Sequence, residues 1–328
     1  MFHTSKCVLA LAVLNTLISF ASSARADLFI ADGDRIGKYS DAGAVINADF
    51  IELSSVTGLA LGSDGYLYAG STTGGTASAA AIFRYNPATG AQIGATPFID
   101  YTNIAVSPSN PQGMHFGPCG NLYIADETLS KFYVFGPAGN FIATRTSANP
   151  DIVDPTGLTA DANHVYVVCG QGIARYNAIT DDFTNLVPPG IQNNPHDAAF
   201  GPDGFLYVLD VSSSPGVLRF NAATGAEDFS FHINLDDLIT SDNIVYFPSN
   251  INFGPDGRLD ISGFDANTAA GSVIQYDLAG NFQGFLIPST STLTFSDSFF
   301  LFTPVPEPTT LALVLPAALC LIRRRKNR

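Results

Sequence analysis

The chain reads as an all-β fold, a six-bladed β-propeller closed by its own terminal strands. Three observations predict it. A short apolar strand, a Gly-bounded turn and a second apolar strand return at intervals through the chain. A third-strand signature follows each time, in most units ending in a second Gly turn. The chain also opens on a second strand that has no first strand before it, and it closes on a first strand that has no second strand after it.

Taken in order, Leu28-Phe-Ile-Ala-Asp32 is that unmatched second strand, and Ile36-Gly-Lys-Tyr-Ser-Asp-Ala-Gly43 is a third strand with its turn. First strands with their turns follow at Gly58-Leu-Ala-Leu-Gly-Ser-Asp-Gly65, Gly113-Met-His-Phe-Gly-Pro-Cys-Gly120, Gly157-Leu-Thr-Ala-Asp-Ala-Asn163, Asp197-Ala-Ala-Phe-Gly-Pro-Asp-Gly204 and Asn250-Ile-Asn-Phe-Gly-Pro-Asp-Gly257. Pro presets one φ in these turns, Asp can bond nearby backbone, and Gly takes positive φ. Each second strand comes directly after, as in Leu206-Tyr-Val208, with the β-branched and aromatic character of a half-buried strand. Third strands such as Ile82-Phe-Arg-Tyr-Asn-Pro-Ala-Thr-Gly90 and Val217-Leu-Arg-Phe-Asn-Ala-Ala-Thr-Gly225 are nearly the same words, and they lead into outer strands such as Phe141-Ile142. Successive starts lie 55, 44, 40 and 53 residues apart. Four short strands at such a period mark a propeller. The missing first strand is expected at Thr292-Leu-Thr-Phe295, which gives six blades. Seven is the alternative, if Phe299 to Phe302 starts another blade.

The two ends read as addresses. Lys6, the apolar run Val8 to Phe20 and Ala24-Arg25-Ala26 have the order of a secretory signal, so residues 1–26 are expected to be removed before Asp27. Residues 27–304 hold the repeats. Residues 305–328 begin Val305-Pro306-Glu307-Pro308, continue through the apolar run Leu311 to Ile322, and end in Arg323, Arg324, Arg325 and Lys326. That run covers roughly 18 Å as a helix, against about 30 Å of hydrocarbon, so it is marginal as a permanent anchor. The basic end would stay on the cytoplasmic side. This three-part tail resembles the PEP-CTERM sorting signal of Gram-negative bacteria. The resemblance implies export, recognition by an exosortase, transient inner-membrane association and arrival at the cell surface or in the extracellular matrix.

Without both ends, eight Lys and Arg face 28 Asp and Glu, a net charge near −20. Such a surface repels polyanions, which excludes nucleic acid as a partner. Cys7 and Cys320 fall in the targeting segments. Cys119 sits in a hairpin turn and Cys169 at the far end of a strand, so a bond between them is not expected.

The repeat resembles NHL-repeat propellers and the wider group containing regucalcin-type gluconolactonases and streptogramin lyases, over nearly all of residues 27–296. In the lactonases the resemblance implies a divalent metal at the channel mouth, held by Glu, Asn and Asp just before the inner strands. The matching positions here are Thr57, Gln112, Thr156, His196 and Ser249, with Ser291 as the sixth. None is a carboxylate or Asn, and hard cations need several such oxygens. The lyases carry a Trp after the hairpin and use His and Glu; this chain has no Trp, and Pro195-His196-Asp197 is the nearest echo. These five residues are candidates for binding at the mouth, and no catalytic residue, metal ligand or cofactor is assigned. His196 could act as acid, base or ligand, but as a lone His it is expected to cap its loop. Asp32, Asp126 and Asp210 end second strands and are expected to bond turn amides. The expected role is a noncatalytic binding or scaffold module for an extracellular polysaccharide or envelope protein. The alternative is a metal-dependent hydrolase or lyase with a divalent cation at the mouth.

Overall fold

A computed structural model describes residues 26–72, 80–101, 111–145, 152–170, 172–190, 193–241, 243–268, 270–289, 293 and 300–303. The expected signal at 1–26 (Ala26 apart) and the tail at 305–328 lie outside them. Residues Asp27–Phe302 form one compact unit of six four-stranded antiparallel sheets.

Blade 1 is built from Phe300–Phe302, Asp27–Ala31, Arg35–Ser40 and Val45–Glu52, in that spatial order. Blade 2 runs Val56–Leu61, Leu67–Ser71, Ala81–Tyr85, Ile99–Asp100, and blade 3 runs Pro111–Phe116, Leu122–Asp126, Lys131–Phe135, Phe141–Arg145. Blade 4 is Leu158–Ala160, His164–Cys169, Gly172–Asn177, Asp182–Val187, and blade 5 is Pro195–Phe200, Phe205–Asp210, Gly216–Asn221, Glu227–Asn234. Blade 6 is Tyr246–Phe253, Leu259–Asp265, Ala270–Tyr276, Phe282–Ile287. Each first strand touches the first strand of the next blade, round to closure.

Six blades and closure by the chain's ends are as expected, but the closing strand is not Thr292–Phe295. Phe300–Phe302 pairs with the Leu28 strand, with Leu28 opposite Phe302 and Ile30 opposite Phe300. Of the expected strand only Leu293 is described; it is buried, and its carbonyl accepts Gly271 N at the edge of blade 6. Phe299 to Phe302 therefore starts no seventh blade.

Adjacent blades are joined by a repeated aromatic contact. Tyr68, Tyr166 and Tyr207 follow the leucine or valine that begins each second strand's core and are at most 2% exposed. Each hydroxyl donates to the Asp of its own turn, Asp64, Asp161 or Asp203. Each ring meets a Phe of the next first strand edge-on: Phe116 at 4.7 Å, Phe200 at 5.0 Å and Phe253 at 4.9 Å. Such pairs contribute about 0.5–1.5 kcal/mol each beyond area burial.

The third-strand turns join blades as well. Gly225 has φ +73°, and a Cβ there would lie 1.9 Å from Leu186 O of blade 4. Gly43 stands in the same relation to Leu286 O of blade 6. Gly204 also has positive φ, +81°, but open space around it. Gly204→Ala should therefore cost about 1 kcal/mol, the left-handed backbone penalty alone. Gly225→Ala adds a backbone clash and should cost roughly 3 kcal/mol or more. Urea unfolding of both variants checks the difference.

Candidate functional site

The inner strands open on β-bulges, and the candidate mouth residues occupy them. In blade 5 Pro195 pairs with Asp210 and Asp197 with Leu209, so His196 is the extra residue. Thr57 and Ser249 are extra in the same way in blades 2 and 6. In blade 3 Gln112 and Gly113 share the gap between the Pro111–Asp126 and Met114–Ile124 pairs. Thr156 lies just ahead of the blade 4 strand, where Thr156 N and Gly157 O both bond Val168. A bulge turns its extra residue out of the ladder and re-aims the side chain. The five positions are thus structurally equivalent.

What those side chains do differs round the ring. In blades 4 and 5 they clasp the next blade. Thr156 Oγ1 donates to His196 O at 2.6 Å, and His196 Nδ1 donates to Ser249 O at 2.7 Å. The carbonyl acceptor places the proton on Nδ1, so in the neutral ring Nε2 is an acceptor. One position further in, Asp197 Oδ2 accepts Asn250 Nδ2 and Ile251 N, both at 3.1 Å. Asp197 keeps some accessible area, yet it sits deep among the first strands, and burial raises its carboxyl against the pull of those donors. Asn250 Oδ1 is buried and has no partner among the described residues.

Blades 2 and 3 depart from this scheme. Gln112 Nε2 turns to Glu127 Oε2 of its own blade, at 2.5 Å. Thr57 Oγ1 is buried and finds no partner among the described residues. Here Gly58 and Gly113 occupy the position of Asp197; a Cβ would lie 2.5 Å from Gln112 O at the first and 2.2 Å from Thr156 O at the second. The neighbouring strand passes too close for any side chain.

Two of the second-strand aspartates, Asp126 and Asp210, behave as turn caps. Asp126 Oδ1 accepts Leu129 N, and Asp210 accepts Asn193 N, Asn194 N and Ser212 N. Asp32 Oδ2 accepts the Arg35 guanidinium, at 2.8 and 3.1 Å. His115 lies on the blade 3 inner strand with Nδ1 unpartnered, and burial lowers its pKa. His164 Nδ1 meets Asp161 at 3.2 Å. Cys119 is exposed, Cys169 is buried, and no disulfide joins them.

The sequence reading assigns no role to Glu127, Asp197 or Asn250. The last two could have been found, because Asp197 and Asn250 stand where the repeat has Gly58, Gly113 and Gly157. Ser291, the sixth expected mouth position, lies outside the described residues, and the register of Phe300–Phe302 moves that position downstream. Among the described residues no three His, Cys, Asp or Glu side chains gather in a group that could hold a metal ion. His196 Nδ1 meets a carbonyl rather than a hydroxyl or thiol, so that contact activates no nucleophile. A cavity of about 280 Å³ lies off the mouth in blade 4, lined by Val153, Asp154, Cys169, Ile173, Asn185 and Pro189 among others.

No protein-family model matches this chain, and no curated protein matches it in sequence. Solved structures do match in shape. A chain of a nidogen/laminin complex superposes with TM-score 0.62 at 16% identity, covering 84% of this chain and 98% of that one. Virginiamycin B lyase from Staphylococcus aureus gives 0.52 at 17%, with 76% of each chain covered. A streptogramin B lyase gives 0.53 at 13%, covering 81% of this chain and 76% of that one. At these identities the likeness is one of fold.

Proposed function

We propose that this chain is an exported, noncatalytic propeller that binds an envelope polysaccharide or protein through the loop face around its channel mouth. The observation that carries this reading is the use of the mouth side chains. Thr156 and His196 are taken up in hydrogen bonds to the next blade, and Gln112 is bonded to Glu127. A mouth built this way is rigid and presents fixed donors and acceptors, which suits recognition more than turnover. Export and delivery to the cell surface rest on Ala24-Arg-Ala26 and on the Pro306-Glu-Pro308 tail with its basic end. A chain within the nidogen/laminin complex shares the fold, which is compatible with a binding role.

The lyase reading has one observation of its own, the His196 ring with Nε2 left as an acceptor. Metal analysis after mild purification, then a lactone, ester and streptogramin panel with added calcium, zinc or manganese, separates the two. The expected result is no turnover, with His196→Ala costing about 1 kcal/mol of stability through the lost bond to Ser249. Turnover that disappears in His196→Ala would overturn the binding reading. The positive arm is titration with envelope polysaccharide and envelope protein from the source cells. Phe247, 56% exposed on the loop face beside Phe264, is the substitution site. Phe247→Asp should weaken binding by about tenfold, the loss expected of an aromatic contact.

A further inference from the structure

The propeller has two chemically different faces. The first-to-second and third-to-fourth turns lie on one, here called the turn face. The longer loops and the mouth residues lie on the other. Both ends of the propeller fall on the turn face, since Asp27 opens a second strand and Phe302, opposite Leu28, ends a first strand. The chain runs on from Phe302 into residues 303–328, which contain the apolar run Leu311 to Ile322 and the basic cluster Arg323 to Lys326.

The same face gathers exposed apolar side chains. Of the ten exposed large hydrophobics among the described residues, seven lie in or just after its third-to-fourth turns: Val45, Ile46, Phe141, Ile142, Ile179, Phe229 and Leu278. Phe229 is 86% exposed and Ile179 71%. The other three of the ten, Leu129, Val153 and Phe247, lie on the loop face.

Charge divides in the same direction. Of the eight Lys and Arg between residues 27 and 303, six reach groups on turn-face hairpins. Lys38 donates to Pro87 O and Arg175 to Ala223 O, while Arg84, Arg145, Arg219 and Arg258 meet Asp64, Asp181, Asp203 and Asp256. These six cations offset about half of the eleven carboxylates at the turn-face ends of the strands. The loop face keeps only Arg35 and Lys131 against Asp34, Glu127, Asp154 and Asp236. An anionic bilayer would repel that face more strongly than the turn face.

We infer that, while its tail is attached, the propeller lies with its turn face against a lipid surface and its loop face, with the mouth, turned outward. This rests on the proposed reading of the tail as a membrane segment, and it assigns ligand binding to the face pointing away from the bilayer. Single apolar side chains at a rim bind lipid weakly, so the tail supplies the attachment and the rim sets the orientation.

The natural cysteines make the test direct. Cys119 is exposed in a turn-face hairpin, and Ser213 is exposed in a loop-face hairpin about 20 Å away along the strands. The full chain carrying Cys7→Ser and Cys320→Ser is labelled with a donor fluorophore at Cys119. A second variant, which also carries Cys119→Ser, is labelled at Ser213→Cys. Both are bound to vesicles of phosphatidylethanolamine and phosphatidylglycerol bearing an acceptor on the headgroups. Transfer from Cys119 should be at least about threefold more efficient than from Ser213→Cys, given that separation. Equal or reversed transfer overturns the assignment of faces. Failure of the unaltered full chain to sediment with the vesicles instead overturns the membrane reading of the tail, and the inference with it. Ile179→Asp with Phe229→Asp, tail intact, should equalise transfer from the two labels. Unchanged transfer would mean that the rim does not touch lipid, which also overturns it.

Discussion

A chain ending after residue 299 will lose its cooperative fold, whereas one ending after Thr303 will keep it. The difference is four residues, of which Phe300, Leu301 and Phe302 supply the inner strand of blade 1. Phe300 and Leu301 are at most 8% exposed, and they cover Leu28, Phe29 and Ile30, all fully buried. Burying one such apolar side chain is worth about 1.5–3 kcal/mol, so losing this strand exposes surface worth roughly 6–10 kcal/mol. That is comparable with the entire stability of an ordinary domain. The loss also leaves the Leu28 strand as an open edge facing the channel, a template for pairing with another chain. Thermal unfolding followed by circular dichroism should show no sharp transition for the shorter chain, together with concentration-dependent aggregation. The longer chain should melt within about 2 °C of one carrying the full tail, since no described strand lies beyond Phe302. A sharp transition in the chain ending at 299 would show that another segment can close the ring.

The closing strand is also where sequence reasoning stopped short. Thr292-Leu-Thr-Phe295 and Phe300-Leu-Phe302 both read as short apolar strands, and local pattern has no means of choosing between them. The choice is made by register against Leu28 and by which segment can bury two aromatic rings there. Elsewhere the repeat was legible because each blade needs the same things at the same offsets: Gly at positive φ, alternating apolar residues, and a turn carboxylate. Glycine shows where sequence falls silent. Gly204 and Gly225 both read as turn residues, and only the structure shows that Gly225 also admits the Leu186 carbonyl of the preceding blade. The mouth behaved similarly. Alignment of the repeats picked out five positions that are equivalent in the structure. The partner of each side chain depends on the next blade, and no pattern within one blade contains that information. Hence Thr156 and His196 turn out to be clasps, and the Gln112–Glu127 pair was not foreseen.

Asp260→Asn should stabilise the protein by about 4 kcal/mol at pH 8 and leave it unchanged near pH 4. Asp260 stands in the position of Tyr68, Tyr166 and Tyr207, in the blade that packs against the closing strand. It is fully buried; Oδ1 accepts Gln275 Nε2 at 2.7 Å, and Oδ2 has no partner among the described residues. The charged groups acting on it are Asp256, which opposes ionisation, and Arg258, which favours it less strongly. Burial is the larger effect, and together these push its pKa from an ordinary 3.8 to about 7. The folded state thus keeps a proton that the unfolded chain has already released. The contribution of Asp260 to stability is greatest below pH 4, falls as pH rises towards 7, and levels off above it. About three pH units at roughly 1.4 kcal/mol each give the 4 kcal/mol. Asn keeps the shape and the acceptor for Gln275 but has no proton to lose, so the slope between pH 4 and 7 should flatten. The melting temperature at pH 8 should rise by roughly 10 °C. Urea titrations of both proteins at pH 4, 6 and 8 measure this directly. Parallel pH profiles would mean that Asp260 titrates as an ordinary carboxylate, and that water reaches the seam between blades 6 and 1.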